Sequence, residues 1–235
     1  MKQALLVFGL FMAGTGCSSA SSGPKTVTVF TDEFSKQNLE YLHASAEQIL
    51  NLVNLNFSKE DIRSSYDLVK IKYRDIRPHE RFERFWPIIG FLLEEARQEI
   101  NPANSANSEV IIFLTGRLRF GTCLAFTKYE IFTEPTKSGE YAQFLGGYEN
   151  LVMNGEGVIV MGTDTDDKDP DGAQRLALLL MHEQSHLYGV GHVQDEDSIM
   201  YRRSDLIISG DFNKAKLDLH SKRRLQGILD SMTHK

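Results

Sequence analysis

Three histidines, a glutamate and a glycine crowd into the run HEQSHLYGVGH, His182–His192. The chain has seven histidines, so three within eleven residues imply a shared partner. His182 and His186 are four apart. On a helix they project from one face, one turn apart, a spacing that suits two imidazoles on one metal ion. His192 cannot join them from the same straight helix. Gly189, three residues after His186, is the type that accepts the left-handed backbone with which helices end and the chain is redirected. His192 can then swing back beneath the metal. Three neutral nitrogens and one open position are the donor set of a catalytic zinc site. Glu183 directly follows the first ligand, placed to reach water on the metal rather than the metal itself. Zinc lowers the pKa of such a water towards about 7. The carboxylate can accept its proton as the water attacks a carbonyl, then return it to a leaving amine.

The surrounding sequence supplies elements to hold this run. KTVTVFTDEF reads as a first strand. Leu39, Leu42, Ala46, Ile49 and Val53 step by three and four, which predicts one amphipathic helix with Ser35 as its N-cap. DLVKIKYRDI alternates Val69, Ile71 and Tyr73 against Lys70, Lys72 and Arg74, a half-buried strand. A strongly apolar helical stretch from His79 to Ile100 is interrupted at Pro87. SEVIIFLTG is a buried central strand, TCLAFTKYE an edge strand and GVIVMGTD a further strand. Residues 134–156 read as loop. A helix is expected from about Asp171 to Tyr188, and a last one from about Ser221 to Met232 with Leu225, Ile228, Leu229 and Met232 on one face. This order predicts an α/β domain with a mixed sheet.

The motif H-E-x-x-H-x-x-G-x-x-H is followed by SIMY, with Met200 eight residues after His192. On these residues the chain resembles the metzincin zinc peptidases, most closely the matrixin-like branch. The resemblance is strongest from about 110 to 201. It implies a twisted mixed sheet with an antiparallel edge strand, an active-site helix, a Met-turn and a C-terminal helix. It also implies one catalytic zinc on His182, His186 and His192, Glu183 as general base, and Met200 as a hydrophobic floor under the metal. Tyr201 would begin the wall of the substrate side-chain pocket. Leu124, Ala125 and Phe126 would lie on the rim strand that pairs with an extended polypeptide substrate. Two features depart from the matrixin pattern: Val193 follows the third histidine in place of the usual serine, and the insert around 79–100 is longer than a minimal matrixin needs. Arg202, not a tyrosine, stands two after Met200, so an astacin-like tyrosine ligand is not implied.

Other features are read beside these. Asp167, Asp169, Asp171 and Gly172 begin like a calcium loop, but its twelfth position is Leu178, not glutamate. The preferred reading is a helix start, with Asp171 as N-cap and Gln174 completing a capping box. Calcium is the alternative. Cys123 reads as a small buried residue, a thiolate on the zinc being the alternative. His43 and His220 have no partner pattern.

At the N-terminus, Lys2, an apolar run from Ala4 to Ala13 and small residues up to Cys17 read as a lipoprotein-type signal over 1–16. Cys17 would be lipidated and 17–24 would be a flexible tether. Ordinary cleavage after Ala20, giving a secreted protein, is the alternative. Residues 25–235 form a single catalytic domain, with an upper lobe to about 190 and a lower lobe from about 191. The chain is then exported to a bacterial envelope and monomeric by default, with the lipid as its only membrane contact. At net charge −6, 41% hydrophobic and with no basic run, the 235 residues point to a globular domain and away from nucleic acid. The leading functional expectation is a zinc-dependent endopeptidase. The alternative is a non-catalytic zinc-stabilised lipoprotein that binds an envelope partner, which would be favoured if a protein ligand filled the fourth zinc position.

Overall fold

The computed structural model describes residues 25–73, 85–100, 109–127, 131, 154–202 and 215–233. The signal segment, Cys17, the tether, His79 and the stretch 132–153 lie outside the described residues. Five strands form one sheet: β1 (Lys25–Thr31), β2 (Tyr66–Tyr73), β3 (Val110–Arg119), β4 (Cys123–Thr127) and β5 (Gly157–Asp164). Their order is β2-β1-β3-β5-β4. The first three pairings are parallel, and β4 runs antiparallel to β5.

Among the described residues the helices are α1 (Glu33–Tyr41), α2 (Ala46–Lys59), α3 (Phe85–Ile100), α4 (Gly172–Leu187) and α5 (Leu219–Thr233). Side chains of the central strands alternate between two cores. Val110, Ile112, Leu114, Ile159 and Met161 face one core, shared with α2 and α4. Ile111, Phe113, Val158 and Val160 face the other, covered by Ile89, Leu92, Leu93 and Ala96 of α3. Central strands buried on both faces need apolar residues at every position, which is why β3 and β5 read as continuous runs rather than alternating ones. The result is a helix–sheet–helix sandwich with the motif helix α4 on one face.

Three local expectations are corrected. The single helix expected through Leu39 and Val53 is two helices, because His43 takes φ +47 and Ser45 caps a new start, accepting a hydrogen bond from Gln48 N. The cap of α1 is Asp32. Ser35 stands three residues inside, completing a reciprocal capping box. Leu42, Ala46, Ile49 and Val53 are all buried, so the periodicity persists across the break. On β2, Ile71 and Tyr73 are exposed rather than buried. A register shift falls between the Val27/Leu68 and Thr28/Lys70 pairs, and a one-residue slip exchanges the faces of a strand. Lys72 thereby comes beside Phe30, with its ammonium over that ring and paired to Glu99 of α3. Pro87 does not interrupt α3. It lies in the first turn, where a missing N–H breaks no helical bond.

Candidate metal centre

α4 is rich in good helix formers, and thirteen of its sixteen residues are buried, including Gln184 and Ser185. Such a helix is positioned from all sides. Asp171 stands at its N-cap without a side-chain capping bond, contrary to the expected capping box. The Asp169 carboxylate holds the approach to the helix: it accepts from Asp171 N at 3.0 Å and pairs with Arg175 Nε at 3.0 Å. Gln174 reaches out to Asn56 Oδ1 at 3.4 Å rather than back to the cap. Asp167, Asp169 and Asp171 therefore do not converge. Among the described residues, His182, His186 and His192 are the one group of three or more metal-binding side chains whose ligand atoms cluster.

The C-terminal end of α4 makes the turn that gathers them. Gly189 has φ +76. Its N–H donates to His186 O at 2.8 Å, and Val190 N donates to Ser185 O at 3.0 Å. This pair of bonds is a Schellman closure, with glycine in the left-handed position and the apolar Val190 buried just beyond. The same turn presents the Val190 carbonyl to His186 Nδ1 at 2.7 Å. His182 Nδ1 meets the carbonyl of Ile199 at 2.6 Å. Since a carbonyl only accepts, each Nδ1 carries the proton and each Nε2 is left as a lone pair.

Those Nε2 atoms face one another. His186 Nε2 lies 3.0 Å from that of His182 and 3.2 Å from that of His192. With both tautomers fixed by carbonyls, close contact between lone pairs is relieved by a cation. Ligand nitrogens at 2.0–2.1 Å in a tetrahedral set would be about 3.3 Å apart, near the spacing seen. Burial holds the His182 imidazole down at about 4 and that of His186 at about 3, with the neighbouring histidines adding to the effect. His192 is lowered too, by burial and then by the charge of Arg202. All three are neutral donors near pH 7, so the residues present fit zinc.

Glu183 is 4% exposed. Its Oε1 is 3.9 Å from His182 Nε2, close to the cluster but outside hydrogen-bonding distance. Burial pushes its carboxyl up to about 7, and a hydrogen bond from the Cys123 thiol pulls the other way. Met200 is fully buried on a turn clamped from two sides. Val193 N donates to Met200 O at 3.0 Å, and Ile199 N to Lys216 O at 2.8 Å. Ser198 Oγ accepts from Met200 N at 3.0 Å and donates to Asp218 Oδ2 at 2.8 Å. Tyr201 is half-buried, its hydroxyl 3.4 Å from Glu196 Oε1.

β4 ends the sheet on the side of α4. Cys123 and Ala125 pack towards the α4 core, whereas Leu124 and Phe126 pack towards the α3 core. Of the three rim candidates, only Ala125 has its side chain on the metal side. The orienting carbonyls of Val190 and Ile199 went unread in the sequence, because every residue has a carbonyl. The Ser198–Asp218 bond and the Cys123–Glu183 contact went unread because only the fold joins them.

No family model matches the sequence, and no curated protein matches it. Solved structures do match the fold. Archaemetzincin from Methanopyrus kandleri aligns with a TM-score of 0.50 at 12% identity, over 88% of this chain and 96% of that one. Metalloproteinase-II from Bacteroides fragilis gives 0.49 at 11% identity, over 90% of this chain and 55% of that one. A zinc-dependent peptidase from Methanocorpusculum labreanum gives 0.44 at 16% identity, over 85% and 99%. The likeness to archaemetzincin, at 12% identity, is one of fold.

Proposed function

We propose that this protein is a zinc-dependent endopeptidase of metzincin type. The observation that carries the reading is the convergence of three Nε2 atoms, that of His186 lying 3.0 and 3.2 Å from the other two, with the tautomers of His182 and His186 fixed by backbone carbonyls. His182, His186 and His192 would hold the ion. Zinc, when bound there, supplies Lewis acidity and lowers the pKa of a water towards about 7. The rest falls to the chain. Glu183 is the proton acceptor: with its carboxyl near neutrality, it takes a proton from water and delivers it to the leaving amine. An extended polypeptide would lie along β4, the terminal strand of the sheet among the described residues, in a strand-addition mode. Met200 would form the apolar floor and Tyr201 the start of the side-chain pocket. The order of rim strand, motif and Met-turn supports the matrixin-like branch.

The partner-binding alternative calls for a protein ligand in the fourth position. Among the described residues no further side chain joins the three imidazoles, and Cys123 is engaged with Glu183 instead. Catalysis is therefore the better reading. The leader reading adds export and a lipid tether at Cys17. The test is cleavage profiling on a peptide mixture with and without a chelator, beside Glu183→Ala. That variant is expected to keep one zinc per chain and to lose on the order of 10²–10⁴ in turnover. Undiminished cleavage by it would sink the mechanism.

A further inference from the structure

One peptide unit decides how His182 is presented. His182 Nδ1 donates to the carbonyl of Ile199 at 2.6 Å, and that carbonyl shares a rigid plane with the N–H of Met200. The peptide is trans, so its C=O and N–H point in opposite directions and move together. Met200 N donates to Ser198 Oγ at 3.0 Å. An N–H only donates and a carboxylate only accepts, so the Ser198 hydroxyl hydrogen goes to Asp218 Oδ2, at 2.8 Å. The other oxygen of Asp218, Oδ1, accepts from Ser221 N at 2.9 Å, a capping bond at the start of α5. The flanking peptides are held elsewhere: Ile199 N by Lys216 O at 2.8 Å, and Met200 O by Val193 N at 3.0 Å. Ser198 and Met200 are both buried, so bulk water does not compete for these bonds.

We infer that Asp218 and Ser198 are positioning residues for the metal ligand His182: the carboxylate that caps α5 orients the Ser198 hydroxyl, the hydroxyl holds the Ile199–Met200 peptide plane, and that plane fixes the tautomer and direction of the ring. The inference rests on reading the three histidines as a zinc site. It differs from a general clamp on the turn, because the bonds to Lys216 and Val193 fix the neighbouring planes and leave this one to its own two bonds. Without the serine hydroxyl, the Met200 N–H is buried with no acceptor, and the plane turns in search of one. The Ile199 carbonyl turns with it, away from Nδ1. The Nε2 lone pair of His182 is then no longer held towards the other two imidazoles.

Two readouts test it, and neither needs activity: zinc affinity of the full chain by chelator competition, and the His182 tautomer by proton–nitrogen correlation NMR on the zinc-free chain. Ser198→Ala should weaken zinc about tenfold, the low end of what losing a group behind a ligand does, and turn the Nδ1–H tautomer into a mixture. Asp218→Asn keeps an oxygen for the α5 cap but offers Ser198 a donor in place of an acceptor, and should weaken zinc about threefold with the same mixing. If Ser198→Ala fails to fold, Asp218→Asn decides by the same two readouts. Lys222→Ala is the control. It removes the 3.5 Å ion pair between α5 and Glu60 without touching the cap, and both readouts should stay at parent values. An unmixed tautomer in the folded Ser198 or Asp218 variant, zinc affinity within about twofold of the parent, or an equal loss in Lys222→Ala would overturn the inference. A parent chain that binds zinc and cleaves nothing would defeat the peptidase reading alone. One that binds no zinc would defeat the metal site, while the tautomer would still decide the coupling of Asp218 to His182.

Discussion

Two stretches rich in metal-binding residues bracket the same helix. Before α4 lie five aspartates between Asp164 and Asp171; at its far end lie three histidines. Only the second stretch converges. The acidic run meets donors of its own, since Asp169 takes Arg175 and the N–H of Asp171. The histidines meet acceptors instead. Carbonyls of Ile199 and Val190 take the Nδ1 protons and turn the Nε2 lone pairs inward. The difference teaches that ligand types in number do not make a site. What matters is whether the surroundings satisfy the metal-binding atoms or satisfy the atoms behind them.

The comparison breaks most plainly at the histidines. His186→Ala should reduce bound zinc from one per chain to well below it after dialysis, measured by elemental analysis, and peptide cleavage should vanish with it. Retention of full zinc would mean that the cluster is not the site. Acid should act next most strongly, on the zinc-free chain. His182 and His186 have folded values of about 4 and about 3, below the ordinary 6.5, so the unfolded chain binds protons first as pH falls. Their neutral burial is fully tolerated above about pH 6.5, and stability is lost from there down towards about pH 3. The melting temperature of chelated protein should drop by several degrees between pH 7.5 and 5.5. A flat profile would sink this account of the donors.

Gly189→Ala tests the turn. A side chain at φ +76 costs about 1–2 kcal/mol, read by denaturant unfolding, and zinc affinity should fall with it because the turn delivers Val190 O and His192. Unchanged zinc affinity would uncouple the turn from the site. The acidic stretch should respond least. Asp169→Ala removes a half-buried ion pair and a turn bond, a loss of about 1 kcal/mol in unfolding with zinc content unchanged. Millimolar calcium should leave the melting temperature of the parent chain unmoved. A clear rise would show that the two stretches are more alike than their geometry implies.

The same contrast explains what the sequence disclosed. The motif, its glycine and the buried strands were legible because each rests on short-range periodicity or on a residue type with no substitute, as with Gly189 at positive φ. The break between α1 and α2 was hidden by a periodicity that ran through it from Leu39 to Val53, although Ser45 with Gln48 three residues on is a start signal. The exposed end of β2 was missed because a register slip inverts faces without changing composition. The capping bond expected of Asp171 is not made, and Asp169, drawn in by Arg175 one turn inside the helix, holds the N–H of Asp171 instead.

The bond between Ser198 and Asp218 has a consequence for order of assembly. His182 is oriented by a carbonyl seventeen residues further along the chain, and the turn bearing that carbonyl is pinned by Lys216 and Asp218, at the threshold of α5. A polypeptide that emerges from its N-terminal end therefore lays down the sheet and the motif helix while the metal centre is still unfinished. Cutting power, on the reading proposed above, would arrive only when the last helix docks, so the nascent chain is protected by its own sequence order.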